Sequence, residues 1–317
     1  MTRIPRIASL FAGAGGLDLG LINVGANVIW ANDIDRDACD TYAANIGQHI
    51  ICDDISNIDF RQIPEVDIVV GGFPCQGFSV ANLLRSKDDV RNTLYRQLLR
   101  CIQTVRPRVF LAENVRGILN LDKGAALTEI IDGFKCAGYS TKFYIANAAD
   151  YGVPQNRWRV FFIGIHMDLA GTFVPPSPTH ASPEKLKPGS QLLPWVSIGD
   201  ALSGLPEPDE AHLLMNHIGS KYKVSNRNFT GHRRTDPNRP SPTILARGNG
   251  KGGVCAIQHP GNHRRLTVRE SAIIQSFPLD FEFHGGLMSM YRQVGNAVPV
   301  RLAEAFGQSL VALEAQL

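Results

Sequence analysis

The sequence predicts an α/β protein: a doubly wound, mostly parallel sheet, joined late in the chain by a smaller, irregular β-containing domain. Two observations carry this. From residue 6 to Ile165, short β-rich runs alternate with helical patterns, and the runs are apolar along their length, as strands buried on both faces are. The rhythm then breaks at "VPPSPTHASPEKLKPGS", and residues 190–262 are rich in Gly, Asn, Arg and Pro with few helical patterns.

The elements follow in order. "RIASLF" is a strand running into the glycine turn "AGAGG", and "LDLGLINVG" has helical spacing. "ANVIWAN" is a strand, "RDACDTYAANIG" a helix closed by Gly47, and "HIIC" a short strand. "VDIVVGGF" is a longer strand, "TLYRQLLRCIQTV" a helix, and "RVFLAEN" the next strand. "ALTEIIDGFKCAG" is a helix with its stop glycine, followed by strands "YSTKFYIANAA" and "RWRVFFIGI". Helical pattern returns at "TVRESAIIQSF" and in "PVRLAEAFGQSLVALEAQL". We expect a first domain over 1–185, a second, irregular one over 186–287, and a segment 288–317 returning to the first domain.

With 317 residues, 44% hydrophobic and 19% charged, the chain has an ordinary globular composition and ample length for a core. No stretch approaches the roughly 18 apolar residues of a membrane span. The N-terminus lacks the apolar run and cleavage site of a secretory signal, so a cytoplasmic location is expected. The six cysteines (39, 52, 75, 101, 136, 255) show no C-x-x-C pair and no Cys/His ligand spacing, so neither a disulfide frame nor a metal is expected.

The net charge of +3 conceals an asymmetry. Residues 221–270 hold eleven Lys or Arg against Asp236 and Glu270, so the rest of the chain is acidic. A basic segment on an acidic body is the footprint of a polyanion partner; a solvated charged face is the alternative.

Four constellations bear chemistry. The first is "LFAGAGGLDLG": a strand, a glycine turn and a helix start, where backbone can approach a ligand. Asp18 sits where the third glycine of the dinucleotide fingerprint would be, which disfavours a nicotinamide cofactor. Asp33 and Asp54 end the second and third strands, where acids can bond ribose and adenine; each could instead be a helix cap. The second is "GGFPCQGFS", which places Cys75 beyond a buried strand as an exposed nucleophile. The third is Glu113 in "LAENV", at the end of the next strand, a carboxyl suited to proton donation. The fourth is "QNRWRV", with Arg157 and Arg159 on one side of a strand.

In this order these motifs resemble the DNA (cytosine-5) methyltransferase family over nearly the whole chain. "FAGAGG" is similar to its S-adenosylmethionine loop and "GGFPCQGFS" to its Pro-Cys-Gln loop; "ENV" and "QNRWRV" match in order and spacing. "RRLTVRE" with "QSFP" resembles the family's ninth motif and "YRQVGNAVP" its tenth, and the interval that holds its recognition domain contains most of the basic segment.

The resemblance implies the class I S-adenosylmethionine-dependent methyltransferase fold and transfer of a methyl group from S-adenosyl-L-methionine to carbon 5 of a flipped-out cytosine. Cys75 would add to carbon 6, Glu113 would act at ring N3, Arg159 would hold the carbonyl at position 2, and Arg157 would position the base and a phosphate. Phe11, Ala12, Gly13, Gly15, Gly16, Asp33, Ile34, Asp54, Ile55, Phe73, Asn296 and Ala297 would contact the cofactor. The family often has Glu at the place of Asp33 and an aromatic at that of Ile34. Gln76, Ser79, Arg85, Lys87, Arg91, Arg227, Arg233, Arg234 and Arg247 would meet DNA. The expected partner is double-stranded DNA, bound by a monomer, with a cognate restriction endonuclease as a functional partner.

A cytosine deaminase would need H-x-E and P-C-x-x-C, and Phe78 stands where the second thiolate would be. A tRNA-directed member of the family shares the motifs, but its "CFT" is absent here. A catalytically dead DNA-binding regulator would not need Cys75, Glu113, Arg157 and Arg159 together.

Overall fold

A computed structural model describes residues 3–73, 93–210, 214–220, 234–246 and 257–317. The seven-strand sheet comprises β1 (Arg6–Leu10), β2 (Asn27–Asp33), β3 (Ile50–Cys52), β4 (Ile68–Gly71), β5 (Val109–Val115), β6 (Tyr139–Asn147) and β7 (Trp158–His166). Their order is β3-β2-β1-β4-β5-β7-β6. β7 runs antiparallel to both neighbours and the other pairs are parallel. The order reverses between β1 and β4, so a crevice opens at the carboxyl ends of those strands.

Period-two alternation sorts the apolar side chains to two faces. Ile7, Ile68, Val70, Val109, Leu111, Phe161 and Ile163 pack with α1 (Gly16–Asn23) and α8 (Val300–Glu314). Ala8, Leu10, Val69, Phe110, Ala112, Val160 and Phe162 pack with α3 (Thr93–Val105) and α4 (Ala125–Cys136). Close approach sets the composition at two points. Gly164 makes room for the Phe110 ring, since a Cβ there would lie 2.0 Å from it, and Gly20 lets α1 touch α8, where a Cβ would lie 2.4 Å from Ala303.

α2 (Arg36–Asn45) ends before Gly47, whose φ is not positive, so that glycine is not the expected left-handed stop. Gly138 (φ +94), after α4, is one. After β7 come the two-residue strands β8 (His180–Ala181) and β9 (Leu193–Pro194) and the short α5 (Ile198–Leu202). α6 (Val268–Ile274) begins at a capping box in which Thr267 and Glu270 satisfy each other's backbone N–H. α7 (Leu287–Asn296) was not foreseen, because its apolar positions are diluted by Ser, Arg, Gln and Gly. Among the described residues no helix is long and apolar enough to cross a membrane.

The basic segment is less exposed than its composition implies. Arg269 is buried and donates to the carbonyls of Met215, Pro278 and Phe281. Arg264 pairs with Glu207 and the buried Glu270. Arg234 is exposed.

Candidate active site

The glycine turn follows β1 at the switch point. Ala12 N–H donates to the Asn32 carbonyl, and Gly13 N–H to Asp33 Oδ2 at 2.8 Å. Phe11 (φ +55) and Gly13 (φ +56) are left-handed, and nothing lies within 4 Å of where a Gly13 Cβ would be. The turn therefore has the open backbone face that a nucleoside ligand needs. Gly16 approaches the C-terminal segment so closely that a Cβ would meet the Val298 carbonyl at 2.5 Å and the Ala297 Cβ at 3.1 Å. The turn at Gly16 thus meets a segment far away in sequence, Ala297 and Val298, which follow the exposed Asn296.

The acids divide. Asp33 stands beside the turn with both oxygens engaged by N–H groups, from Gly13 and Asp35, and burial raises its pKa. Asp54 caps a 3-10 turn through Ser56, whose N–H and hydroxyl hold its pKa down. It takes the helix-cap alternative, with further acceptor capacity left over. Ile34 is 68% exposed and offers an apolar surface. Ile55 and Phe73 are buried in the core, with the Phe73 ring 5.6 Å from the Tyr95 ring.

Asp18 carries a structural duty that sequence did not indicate. It is fully buried behind the turn and accepts from Ser9 Oγ (2.7 Å) and Tyr42 Oη (2.8 Å). Burial pushes its pKa up to about 6 from 3.8, against the lowering by those two hydroxyls. A raised carboxyl pKa stabilises the fold while protonated, so this contribution is complete below pH 3.8 and is lost as pH rises through 6. Two pH units correspond to about 3 kcal/mol. Unfolding by urea should show that decline between pH 4 and 7, and Asp18→Asn should remove it; an identical pH profile in the variant contradicts this account.

The second half of the site lies on β5 and β7. Their antiparallel register pairs Glu113 with Phe161 and Val115 with Arg159, which makes Glu113 and Arg159 diagonal neighbours on one face. Arg159 Nε is 2.6 Å from Glu113 Oε1, and the two residues are 7% and 8% exposed. Burial raises the Glu113 pKa, opposed by the charges of Arg159 and Arg157. A buried carboxyl whose proton is retained above the ordinary range can donate it, while the guanidinium beside it can hold an oxygen.

Gly72 leaves space for this carboxyl, since a Cβ there would lie 3.1 Å from Glu113 Oε2. Asn114 Nδ2 donates to the Phe73 carbonyl at 2.9 Å, tying β5 to the chain two residues before Cys75. Asn114 is a site residue that sequence analysis passed over, although the "ENV" stretch contains it. Trp158, at the start of β7 with the Arg116 guanidinium 5.0 Å from its ring centroid, is another side chain left exposed on this side of the site.

Arg157 differs from expectation. It precedes β7, is 1% exposed, and spends its terminal nitrogens on the carbonyls of Ile244, Gly295 and Ala297. It is therefore not presented to a base or a phosphate in this arrangement. Cys75, Gln76, Ser79, Arg85, Lys87, Arg91, Arg227, Arg233 and Arg247 lie outside the described residues.

Glu207, His259 and His263 bring ligand-type atoms within 4.8 Å of one another, and the H-x-x-x-H spacing in "HPGNH" was missed in the sequence. The same side chains also bond to their neighbours, and burial holds the His259 pKa below its ordinary value. Arg264 Nε sits 2.6 Å from Glu207, His259 Nδ1 accepts the Gly261 N–H, and His259 Nε2 faces Glu270 at 3.8 Å.

Residues 5–200 and 209–312 match the family model of C-5 cytosine-specific DNA methylase. The chain is 37% identical to the type II methyltransferase M.NgoFVII of Neisseria gonorrhoeae, covering 93% of this chain and 83% of that protein. It is 36% identical to the type II methyltransferase M.PspPI of a Psychrobacter species, covering 98% and 80%. Among solved structures, the Dnmt2 methyltransferase of S. pombe shares the fold with a TM-score of 0.71 at 20% identity, over 97% of this chain and 98% of that one.

Proposed function

The chain belongs to the C-5 cytosine-specific DNA methylase family, and on that footing we propose that it methylates carbon 5 of a flipped-out cytosine in a specific double-stranded DNA sequence, as a type II modification enzyme does. The observation that carries this reading is the buried Glu113–Arg159 pair beside Gly72, at the carboxyl end of β5 and the start of the antiparallel β7, two strands on from the switch point.

S-Adenosyl-L-methionine, when bound, supplies an electrophilic methyl group. Gly13, Gly16, Asp33, Asn296 and Ala297 would hold it, with Ile34 against the adenine and Asp54 within the same rim. Cytosine carbon 5 is too electron-poor to accept that methyl unaided. Cys75 as thiolate forms a bond to carbon 6 while Glu113 gives its proton to N3, which makes carbon 5 nucleophilic. Arg159 holds the oxygen at position 2 and stabilises the charge that develops there. Once carbon 5 carries the methyl group, a base removes the proton on carbon 5, the 5–6 double bond re-forms, the Cys75 sulfur leaves as thiolate and the N3 proton returns to Glu113. Residues 186–287 serve as the recognition domain, and 288–317 complete the catalytic domain, a division supported by the packing of α8 on α1. Bisulfite sequencing of DNA from a host expressing the protein should show conversion-resistant cytosines in one sequence context; uniform conversion would refute the proposal.

Arg247 is assigned to base readout. It follows directly on residues 241–246, which are anchored to the catalytic domain through Asn156 and Ser241, and through Gln155, Arg157 and Ile244. Glycine-rich sequence after it permits close entry into a groove. Arg247→Ala should cost about 1–3 kcal/mol on the cognate site and blur discrimination at one position. Methylation rates across single-base variants of the site check this: an unchanged ranking with intact folding means that Arg247 does not read sequence.

A further inference from the structure

We propose that Arg157 is a positioning residue that couples cofactor binding to DNA binding, through a buried polar joint built with Gln155 and Gln275. The proposal rests on the preceding assignment of a cofactor side and a DNA side to this chain.

The joint is read from its hydrogen bonds. Arg157 Nη1 donates to the Ile244 carbonyl at 2.7 Å, and Nη2 to the carbonyls of Gly295 and Ala297 at 2.8 and 3.0 Å. Gln155 Oε1 accepts the Ile244 N–H, and its Nε2 donates to Gln275 Oε1 at 2.7 Å. Gln275 Nε2 in turn donates to the carbonyls of Val294 and Ala297. Gln155 and Gln275 have no exposed surface. Beside them the backbones touch: a Cβ on Gly295 would lie 2.5 Å from the Ala246 nitrogen. Asn156 and Thr243 add a further tie, the Thr243 hydroxyl donating to the Asn156 carbonyl.

Two segments of different duty are thereby held as one. Residues 241–246 lead to Arg247, on the DNA side. Residues 294–297 end α7 and carry Asn296 and Ala297, on the cofactor side next to Gly16. A guanidinium suits the junction because its planar fork reaches carbonyls in several directions at once, whereas an ammonium is a single point. Among the described residues no carboxylate is hydrogen-bonded to this charge, and charge-assisted bonds to three carbonyls offset part of the cost of its burial. A ligand that orders either segment spares the other ligand part of that ordering cost, which is positive coupling, and linkage makes it reciprocal.

The test is the affinity of the wild type and of Arg157→Lys for S-adenosylhomocysteine, by calorimetry, with and without saturating plasmid DNA. The wild type should bind roughly tenfold more tightly with DNA present, within the usual range of coupling. Arg157→Lys, at unchanged melting temperature, should bring that ratio to threefold or less. If the lysine variant does not fold, Gln155→Met, which removes the bonds to Ile244 and Gln275 but keeps the guanidinium, should lower the ratio in the same way. A wild-type ratio of one, or a ratio kept intact in the folded variant, overturns the proposal. A kcat reduced with both ratio and KM values unchanged also overturns it, because that is the mark of an arginine touching the base. Failure of the wild type to bind either ligand would instead sink the functional assignment, and this proposal with it.

Discussion

Cys75→Ser should abolish methyl transfer while cofactor binding and thermal stability stay at wild-type values. The hydroxyl has nearly the shape of the thiol but is not ionised near neutral pH, and it lacks the nucleophilicity of a thiolate. Without addition to carbon 6, carbon 5 remains unreactive, so the loss should reach background. The complementary observation uses DNA with 5-fluorocytosine at the site. Fluorine blocks the final proton removal, so the wild-type protein should accumulate a complex that survives denaturing electrophoresis. Methylation, or a trapped complex, in the serine variant would remove Cys75 from the mechanism.

Glu113→Gln should slow turnover by about 10²–10⁴, as loss of a positioned proton donor does. The amide keeps the shape and can still hydrogen-bond, but it has no transferable proton. DNA affinity should change little, since the residue is buried on β5. Burial holds the carboxyl's pKa above its ordinary value, and only the protonated form donates. Wild-type activity should therefore persist above the usual carboxylate range and decline as pH rises through the raised value. The Gln variant should lose that limb of the profile. Turnover within threefold of wild type, or an unaltered profile, refutes the proton-donor role.

The sheet was legible because its apolar strands and its glycine and helix punctuation are local signals, and the predicted doubly wound, mostly parallel arrangement is the one found. The antiparallel setting of β7 was not, since "RWRVFFIGI" reads alike in either direction; yet that setting alone makes Glu113 and Arg159 neighbours. The glycine turn and Glu113 could be picked out as residues placed after or at the end of strands. Arg157 could not be separated from Arg159 on sequence, because both alternate in one motif and only tertiary contacts show that one turns to carbonyls of 244, 295 and 297. Asp18 was read as a missing glycine, whereas its partners Ser9 and Tyr42 lie 9 and 24 residues away. The charge count of 221–270 included Arg264 and Arg269, which the fold consumes internally.

The identity of the methylated nucleoside tests the central claim most directly. The protein is incubated with methyl-labelled S-adenosylmethionine and, separately, with plasmid DNA and with bulk tRNA, and each nucleic acid is digested to nucleosides. The account predicts label in 5-methyl-2′-deoxycytidine from the DNA and none above background from the tRNA. Label in N4-methylcytosine or N6-methyladenine, or label confined to tRNA, would contradict it.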